Sequence, residues 1–437
     1  QSDAKDPARG LFLVLKALAP GFWKHGEGAC LINVTALDGQ FGLAGSTDAP
    51  VEGAGTLGVA KSAAREWPLL RVKCIDLAPD LELFHWIDQV ITEMHRPDAA
   101  LEVGLTSHGR WHLQLQELPP ADSPQLPLDD GAVLLVTGGA CGITAEVTKA
   151  LAAQQRLRLA VVGRSAVPEP EAASTIDILE PGALRQVLIA KYRARTGEVK
   201  PAEIEGALKR ILKAREIRGN LLALQQAGAE LCYHTLDVRD ADAFGRLIDD
   251  VYARWGRIDG VLHGAGVIHD KLIGDKPADS FDAVYLTKAT AALTLARKLR
   301  PDTLKFVVFF SSIAGRFGNA GQCDYSAANE LLNKLSGRLR IAWPNVRTVS
   351  VGWGPWQGGM VSEELIRLYA LRNIRPIPMA IGIQHCLDVL ARPVMPEPEL
   401  VITASLSRIV GSIQAGVQEQ QRPPAHRRML QRQQAVA

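Results

Sequence analysis

Several features that would place this chain in a specialised class of protein are missing from its sequence. No uninterrupted apolar run approaches the roughly 20 residues that a membrane-spanning helix needs. The polar beginning, QSDAKDPARG, does not have the pattern of a secretory signal peptide. The net charge is only +2 over 437 residues, so no bulk field favours nucleic acid or a membrane surface. We therefore expect neither nucleic acid nor a membrane as a partner.

The cysteines do not form the pattern of a disulfide framework or a metal site. Six are scattered along the chain with no CxxC pair, at Cys30, Cys74, Cys141, Cys232, Cys323 and Cys386. In a chain of this size, scattered cysteines indicate reduced thiols, and hence a cytoplasmic location without a bound metal. The chain also does not begin with Met, which suggests a fragment of a longer polypeptide.

What the sequence does contain is typical of a globular protein with two domains. Hydrophobic residues make up 47% and charged residues 22%, and 437 residues exceed the size at which one core keeps growing. Residues 119–130, PPADSPQLPLDD, predict a linker because they hold four prolines and no apolar periodicity. We therefore distinguish an N-terminal region (1–118), a central region (131–412) and a Gln- and Arg-rich tail (413–437), which we predict to be a linker.

The central region alternates between apolar strand-like runs and longer helix-like stretches. Continuous apolar strands separated by helices predict an α/β fold with a parallel, doubly wound, Rossmann-like sheet covered on both faces. The predicted strands are Val133–Thr137, Leu159–Gly163, Leu231–Asp237, Gly260–Gly264, Phe306–Ser312, Arg347–Trp353 and Leu400–Ile402. The N-terminal region has two such runs, Ala29–Val34 and Arg71–Leu77.

One segment, residues 181–219, interrupts this alternation between the second and third strands. It contains ten Lys or Arg residues against four Asp or Glu, and it has helical periodicity from Pro201 onward. This predicts an inserted, basic helical hairpin. Its basic face is either simply solvated or a docking surface for an acidic carrier protein, and the charge pattern leaves both interpretations open.

The segment LLVTGGACGIT, residues 134–144, predicts a strand, a glycine-rich turn and the start of a helix. The glycines allow the turn to close and the backbone to approach a phosphate, and the N–H groups of the helix N-terminus would face a pyrophosphate. Taken alone, these glycines could equally form only a tight turn. The candidate cofactor residues here are Thr137, Gly138, Gly139, Cys141, Gly142 and Ile143.

Three later strand ends strengthen the dinucleotide interpretation. The segment AVVGRS carries an Arg and no acidic residue, which suits the 2′-phosphate of NADPH better than the free ribose hydroxyl of NADH. The segment LDVRD offers a carboxylate that could reach adenine, and LHGAGV offers small residues under which a cofactor could lie. The further candidate cofactor residues are Arg164, Ser165, Asp237, Val238, Gly264, Ala265 and Gly266.

The segment FFSSIAGRFGNAGQCDYSAANELLNK, residues 309–334, carries the candidate catalytic groups. A tyrosine, with an ordinary pKa near 10, is a useful proton donor at neutral pH only where its phenolate is stabilised, and a Lys ammonium would do this. Ser312 would hold a substrate carbonyl while Tyr325 delivers the proton as hydride arrives from nicotinamide. In many such reductases the lysine lies four residues after the tyrosine. Asn329 occupies that position here, so the ammonium must come from elsewhere, and Lys288 is the candidate, although taken alone it could be a solvated lysine on a helix.

With these motifs the sequence resembles the ketoreductase domain of a type I polyketide synthase, within the short-chain dehydrogenase/reductase superfamily. In that family Lys and Asn are exchanged relative to ordinary short-chain reductases, and Lys288, Ser312, Tyr325 and Asn329 fall on the four family positions. The resemblance implies NADPH-dependent reduction of a β-ketoacyl group, carried on the phosphopantetheine arm of an acyl carrier protein, to β-hydroxyacyl. It also implies partners among the other domains of a parent synthase.

The resemblance also implies where the substrate is positioned. SVGWGPWQGGMV, residues 350–361, resembles a family turn that places Pro355 by the nicotinamide and leads into a lid that ends at about Pro378. Members that give the D-β-hydroxy product usually carry Leu-Asp-Asp after the fourth strand. Residues 268–270 are Ile-His-Asp, which keeps the final Asp, and Phe317 stands where the opposite class usually has Trp, so a D-hydroxyacyl product is implied. The implied substrate and stereocontrol residues are Asp270, Phe317, Trp356 and Met360.

Two departures from the family pattern refine the resemblance. The glycine-rich turn continues with Thr144 where most members have a further glycine, and the basic hairpin enlarges the region between the second and third strands. With the GGMV segment, these details are similar to the ketoreductases of polyunsaturated fatty acid synthases and related iterative synthases.

The octet DGQFGLAG at residues 38–45 recurs as AGRFGNAG at residues 314–321, an offset of 276 residues. At the same offset, and without a gap, the Trp-Pro pair at Trp67 falls on the pair at Trp343. The N-terminal region therefore looks like the second half of the same fold, and we expect a truncated, degenerate Rossmann-like structural subdomain without hydride chemistry. The positions that match Lys288, Ser312, Tyr325 and Asn329 hold Phe12, Ala36, Ala49 and Gly53.

Two other interpretations are weighed against this one. A free-standing short-chain alcohol dehydrogenase would share the tyrosine and the glycine-rich turn, but the repeat and the Lys/Asn exchange argue against it. A catalytically silent structural module of a synthase would be marked by loss of the tyrosine or the turn, and both are present.

Overall fold

The computed structural model describes residues 6–25, 28–44, 51–79, 82–96, 98, 100–118, 126–196, 200–358, 367, 369–370, 374–392 and 397–404. Within these residues the chain forms two β-sheets with helices packed on them.

The elements in the N-terminal region are α1 (Pro7–His25), β1 (Cys30–Thr35), a 3₁₀ turn (Val51–Ala54), α2 (Gly55–Glu66), β2 (Arg71–Leu77), α3 (Leu83–His95), β3 (Glu102–Thr106) and β4 (Gly109–Trp111). Those in the central region are β5 (Val133–Thr137), α4 (Gly142–Ala152), β6 (Arg158–Gly163), α5 (Ala173–Ile176), α6 (Pro181–Thr196), α7 (Pro201–Gln226), β7 (Glu230–Thr235), α8 (Ala241–Trp255), β8 (Gly260–His263), α9 (Ala278–Lys298), β9 (Phe306–Ser312), α10 (Ile313–Phe317), α11 (Cys323–Ala342), β10 (Arg347–Trp353), α12 (Met379–Ala391) and β11 (Glu399–Ile402).

The larger sheet has seven parallel strands in the order β7-β6-β5-β8-β9-β10-β11. The predicted doubly wound fold is confirmed. The order reverses between β5 and β8, so the carboxyl ends of these strands border the crevice in which such sheets bind ligands. Strand β5 is buried at every residue, because helices cover both faces of the sheet, and this explains its continuous apolar sequence.

Two strands end earlier than their sequence pattern predicts. Strand β7 ends at Thr235 instead of Asp237, because its partner β6 ends at Gly163 and offers no further backbone groups. Strand β8 ends at His263 instead of Gly264, because β5 ends where the glycine-rich turn begins. The residues that follow both strands therefore lie outside the strands, at the carboxyl edge of the sheet.

The predicted basic hairpin consists of α6 and α7, and α7 extends beyond the predicted boundary. Arg185 and Glu205 pair across the two helices, with Nε and Oε1 2.7 Å apart. The last turns of α7 continue into the main core, where Ile217, Leu221 and Leu224 pack beside the sheet. The hairpin also has a small apolar core of its own, formed by Leu184, Leu188, Ile204, Ala207 and Leu208.

The smaller sheet has the order β1-β2-β3-β4, with β4 antiparallel to β3. Strands β1 and β2 pair in the same register as β9 and β10, shifted by 276 residues. The residue that ends the preceding helix has nearly the same backbone conformation in both copies, with φ −121° and ψ 82° at Trp67, and φ −127° and ψ 70° at Trp343. The sequence repeat is therefore also a repeat of structure.

The two copies pack against each other through α2 and α11. A Cβ added to Gly58 would overlap the backbone at Ser326, so glycine permits this close approach of the two helices. Next to it, Phe12 of α1 stacks on Phe281 of α9 with ring centroids 4.5 Å apart. The N-terminal region thus packs directly against α11, the helix that carries Tyr325.

Candidate active site

The glycine-rich turn lies at the carboxyl end of β5, where the order of the strands reverses. Gly138 has a φ of 74°, and a Cβ there would lie 2.9 Å from the amide nitrogen of Ala265, so both the backbone angle and the close approach require glycine. A Cβ on Gly264 would overlap the side chain of Thr144. Thr144, which departs from the family pattern, is thus accommodated by the absence of a side chain at Gly264.

A chain of hydrogen bonds links this turn to Lys288. Thr137 Oγ1 lies 2.7 Å from His263 Nδ1, and His263 Nε2 lies 3.3 Å from the carbonyl oxygen of Lys288. Burial, assisted by the Lys288 charge, lowers the pKa of His263 to about 3, so the imidazole is neutral. Its Nε2 then donates to the carbonyl oxygen and its Nδ1 accepts from Thr137. No motif marks His263 in the sequence, since a single histidine in an apolar strand has no recognisable spacing.

Helix α7 of the insertion also reaches the glycine-rich turn. The Gly142 amide donates to Glu216 Oε1 at 2.7 Å, and Asn220 Nδ2 donates to the Ala140 carbonyl oxygen at 3.0 Å. Glu216 thus occupies the helix N-terminus that the sequence pattern assigns to a pyrophosphate. Burial, followed by the charge of Glu216, raises the pKa of Cys141 to about 11, so this thiol is protonated at neutral pH.

The predicted 2′-phosphate position lies at the adjacent ends of β6 and β7. Exposed Arg164 directly follows β6, and Ser165 accepts a hydrogen bond on its carbonyl oxygen from the Tyr233 hydroxyl at 2.6 Å. Hydrogen bonds from Arg239, with a smaller contribution from Arg164, lower the pKa of Asp237. The Asp237 carboxylate, which the sequence pattern assigns to adenine, is therefore held by Arg239, with Oδ2 2.6 Å from Nη2.

Ser312 ends β9, and Tyr325 lies in α11, the second helix after that strand. Ser312 accepts the amide N–H of Ala314 at 3.2 Å. Tyr325 lies in the first turn of α11 and is 8% exposed. Burial raises the pKa of Tyr325, while hydrogen bonding with Ser312 acts in the opposite direction. Tyr325 is therefore protonated at neutral pH, as a proton donor must be.

Lys288 of α9, the candidate for the ammonium, is buried beside the Tyr325 ring. Its Nζ lies 6.0 Å from the centroid of the Tyr325 ring and donates to the Phe310 carbonyl oxygen at 2.6 Å. An ammonium group has three donors, so Nζ keeps two for other partners. A Cβ on Gly266 would lie 3.0 Å from Lys288 Cε, which shows how closely the backbone under the predicted cofactor approaches this side chain.

Asn329, one helical turn after Tyr325, completes the predicted group. Its Nδ2 donates to the Tyr325 carbonyl oxygen at 2.8 Å, and its own carbonyl oxygen accepts from the Ser311 hydroxyl at 3.2 Å. Its Oδ1 is buried and has no hydrogen-bond partner within the described part of the chain, so it is an available acceptor. Ser311 fixes α11 to β9, whereas Ser312 is the serine next to Tyr325.

The residues predicted to position the substrate are less closely grouped. Exposed Asp270 accepts hydrogen bonds from the Gln322 side chain at 3.0 and 3.1 Å, and Phe317 ends α10. Trp356 is 1% exposed and packs edge-on against Trp353 with centroids 4.8 Å apart, with its indole under α12, and its contact with substrate stays a prediction.

Two further residues predicted to contact the cofactor are Val238 and Pro355. The side chain of Val238 is buried in the core, which leaves only its backbone for a cofactor. Pro355 lies beside Trp356, and its carbonyl oxygen accepts the Ile377 amide at 2.7 Å. Met360 and most of the predicted lid lie outside the described residues.

Comparison with known protein families agrees with this geometry. The model of the KR domain matches residues 132–358, which include all four predicted catalytic residues. The chain belongs to the ketoreductase domains of type I polyketide synthases. These domains are oxidoreductases of the short-chain dehydrogenase/reductase superfamily, whose members bind a nicotinamide cofactor.

Relatives of this ketoreductase domain are parts of large synthases. Over 83% of the chain it is 31% identical to a polyunsaturated fatty acid synthase polypeptide of Thraustochytrium, of which it spans 13%. Over 39% of the chain it is 37% identical to the polyketide synthase PksN of Bacillus subtilis, of which it spans 3%. The chain thus covers a small part of the length of these relatives.

Solved ketoreductase structures share the fold. The ketoreductase PlmKR1 from phoslactomycin biosynthesis in Streptomyces matches with a TM-score of 0.69 and 24% identity, over 94% of this chain and 83% of that chain. A ketoreductase domain from the bacillaene assembly line matches with a TM-score of 0.69 and 22% identity, over 93% of this chain and 84% of that chain.

Metal sites and membrane spans do not occur in the ranges given above. No group of three or more His, Cys, Asp or Glu residues in the described part of the chain is arranged to hold a metal ion. No helix among the described residues is both long enough and apolar enough to cross a bilayer.

Buried Lys288 predicts a specific pH dependence of turnover. Burial lowers its pKa to about 7, so the ammonium that would stabilise the Tyr325 phenolate is lost as the pH rises through that value. We expect kcat/KM for ketone reduction to fall on the alkaline side with a midpoint near pH 7, while Tyr325 stays protonated. Initial rates in buffers of constant ionic strength would show this.

A Lys288→Met variant provides the control for the pH profile, because it carries no charge at any pH. It should have low activity and no alkaline limb near pH 7. An alkaline limb in the unmodified protein that begins only near pH 10 would contradict the assignment.

Proposed function

We propose that this domain reduces a β-ketoacyl thioester, carried by an acyl carrier protein, to the β-hydroxyacyl thioester with NADPH as hydride donor. The observation that carries the proposal is the convergence of four side chains at the carboxyl end of β9, beside the crevice formed by the glycine-rich turn. These four are Lys288, Ser312, Tyr325 and Asn329.

The residues around the crevice fit a dinucleotide. Gly138 and Gly142 have φ values of 74° and 59°, so the turn leaves the backbone bare where a phosphate would approach. The Gly142 amide donates a hydrogen bond to the Glu216 carboxylate, which supports the idea that this amide binds an anion. Because Glu216 is exposed, it can turn into solvent when a phosphate takes that amide.

The chain's own residues account for the proton chemistry. Bound NADPH supplies the hydride to the β-carbon of the substrate. The Ser312 hydroxyl donates a hydrogen bond to the ketone oxygen and orients it. Tyr325 transfers its proton to that oxygen as negative charge develops, and Lys288 stabilises the phenolate that remains. Asn329 positions the first turn of α11 through its bond to the Tyr325 carbonyl oxygen.

The preference for NADPH is attributed to Arg164, whose guanidinium suits a phosphate and not a neutral hydroxyl. An Arg164→Glu variant should bind NADPH roughly ten- to hundredfold more weakly, because charge-assisted hydrogen bonds to the 2′-phosphate are lost. NADH binding should change little or improve.

Fluorescence titration with both cofactors measures this preference directly. An Arg254→Glu variant, on α8, is the control for a change of surface charge and should keep the preference for NADPH. If Arg164→Glu weakened the binding of NADPH and NADH equally, the result would contradict the role of Arg164.

The partners we propose are the phosphopantetheinyl acyl carrier protein and the other domains of a parent synthase, in the cytoplasm. The small share of each relative that this chain covers supports such a multidomain context. Parts of the basic hairpin are already in internal ion pairs, since Arg215 and Arg218 both pair with Glu171. Carrier docking on the hairpin would therefore rest on its other exposed cations, Lys191, Arg193, Arg195, Lys200, Lys209, Arg210 and Lys213.

The direct test is reduction of a β-ketoacyl thioester surrogate with chiral analysis of the product. We expect consumption of NADPH and an excess of the D-β-hydroxy enantiomer, as Asp270 and Phe317 imply. NADPH binding without turnover would favour the silent structural module. Turnover of simple alcohols without activity on the thioester would favour a free-standing alcohol dehydrogenase, and absence of both binding and turnover would contradict the proposal.

A further inference from the structure

Two loops border the space in front of Tyr325. Loop A, residues 264–277, follows β8 and contains Asp270, and its residues Val267 and Ile268 pack against the small apolar cluster that Tyr325 forms with Val284 and Ala314. Loop B, residues 313–322, follows β9, contains Phe317 and leads directly into α11. The placement of one loop relative to the other therefore determines the shape of the space next to Tyr325.

Glu66, the last residue of α2, bonds to both loops from the N-terminal region. Its Oε2 accepts the Ile273 amide of loop A at 2.8 Å, and its Oε1 accepts the Gly321 amide of loop B at 2.9 Å. The loops also bond to each other here, since the Lys271 amide donates to the Gly321 carbonyl oxygen at 2.9 Å. The Glu66 carboxylate thus lies at the junction of the two loops.

Glu66 is a buried carboxylate whose hydrogen-bond partners lie on two separate loops. Glu66 is 5% exposed and forms no ion pair within the described residues, so the two backbone amides are its main compensation for burial. The nearby cation, Lys276, bonds instead to Asp324 and to the His269 carbonyl oxygen, at 2.8 and 2.6 Å. A buried carboxylate that relies on two separate loops is sensitive to the distance between them.

The repeat shows that this carboxylate is a feature of one copy only. At the 276-residue offset Glu66 falls on Ala342, which cannot make either bond. Helix α2, which carries Glu66, also bonds to loop B at two other points. Lys61 Nζ donates to the Arg316 carbonyl oxygen at 3.1 Å, and Arg65 Nε donates to the Phe317 carbonyl oxygen at 3.2 Å. The copy without catalytic residues therefore carries side chains directed at the active-site loops.

We propose that Glu66 is a positioning residue that holds loops A and B in register and thereby selects which face of the ketone is reduced. This inference rests on the ketoreduction proposed above. Glu66 contacts neither the cofactor turn nor the four catalytic side chains, so its loss should change product stereochemistry and KM for the thioester far more than the affinity for NADPH.

A Glu66→Gln variant tests this with almost no change of volume. One acceptor oxygen becomes an NH₂ group that faces a backbone N–H, so one of the two loops is released. We expect the ratio of major to minor enantiomer to fall roughly tenfold, which is the scale of a lost hydrogen bond to a charged group. The KM for the thioester should rise, and the Kd for NADPH should change by less than about twofold.

The matched control is Glu52→Gln, an exposed glutamate in the 3₁₀ turn of the N-terminal region, outside α2 and both loops. It should leave the enantiomer ratio and KM unchanged. An unchanged ratio and KM in folded Glu66→Gln would overturn the proposal. So would an equal effect in Glu52→Gln.

Hydrogen exchange in the unmodified protein tests the two hydrogen bonds between Glu66 and loops A and B, and it needs neither a variant nor an activity assay. The Ile273 and Gly321 amides should exchange at least about a hundredfold more slowly than free loop amides, because both are buried and bonded to Glu66. Free exchange of either amide would overturn the proposal, even if the variant does not fold. If both amides were protected from exchange but the protein neither bound NADPH nor reduced a ketone, the result would contradict the ketoreductase function and not the role of Glu66 in holding the two loops.

Discussion

Replacing Tyr325 with phenylalanine is expected to lower turnover of a β-ketoacyl thioester by roughly 10²–10⁴-fold, the usual contribution of a positioned general acid. The variant loses only the hydroxyl group. Its ring keeps the contacts with Val284 and Ala314, so the first turn of α11 should stay in place. The physical reason is that the ketone oxygen of the substrate, which becomes negative as hydride arrives, would no longer receive the proton that Tyr325 transfers.

NADPH consumption under saturating thioester measures the loss, and cofactor fluorescence checks that binding is intact. Affinity for NADPH should change by less than about twofold, since the hydroxyl does not belong to the glycine-rich turn. A Tyr252→Phe variant on α8 is the control, because its buried hydroxyl accepts the Arg300 amide, at 2.9 Å, and not a group of the site. Retention of more than about a tenth of the activity in Tyr325→Phe would contradict its role as proton donor.

The parts of the site that follow from the sequence are those fixed by local structure. The glycine-rich turn directly follows a strand whose end is set by the glycines themselves. Ser312 and Tyr325 are separated by twelve residues that form the short helix α10 and one turn, so their proximity follows from consecutive elements of the chain. For Lys288 the residues alone offer only a candidate, and the resemblance to a family supplies the role, because Lys288 lies on a different helix and no local spacing connects it to Tyr325.

The parts that do not follow are contacts between segments that are distant in sequence. Glu216 reaches the Gly142 amide from the insertion, and Glu66 reaches loops A and B from the other copy of the fold. Charge patterning describes a helix face as basic or acidic, but it does not show which single carboxylate turns toward a bare amide. The burial of Trp356 under α12 is likewise a contact between distant segments, and the family motif from which its role is inferred does not show it.

The interface between the two copies holds a buried cluster of charges. Lys61 Nζ lies 3.0 Å from Glu330 Oε1, and Lys334 Nζ lies 3.4 Å from the same oxygen. All three of these side chains are completely buried. The cluster balances three cations with three carboxylates, and its members are Lys61, Arg316, Lys334, Glu102, Glu330 and Glu399.

Glu330→Gln should lower the free energy of unfolding by about 3–5 kcal/mol, the second large effect that the structure predicts. The variant leaves three cations and two carboxylates in a site closed to water, although Lys61 keeps its pair with Glu102 and Lys334 keeps its pair with Glu399. Here two partners, Lys61 and Lys334, lose the carboxylate that lies between them. Urea denaturation at pH 7 measures the loss. The control is Glu230→Gln, whose exposed pair with Arg254 should contribute only about 0–1 kcal/mol.

The contribution of Glu330 should also depend on pH in a defined direction. Burial alone would raise the pKa of Glu330, but the charges of Lys334, Lys61 and Arg316 outweigh it and lower the pKa from 4.5 to about 2. The stabilisation is therefore fully present above about pH 4.5 and is lost as the pH falls toward 2. The difference in stability between the unmodified protein and Glu330→Gln should shrink over that interval. A difference below about 1 kcal/mol at pH 7 would show that the cluster does not hold the two copies together, because buried pairs that lose one partner cost several times more.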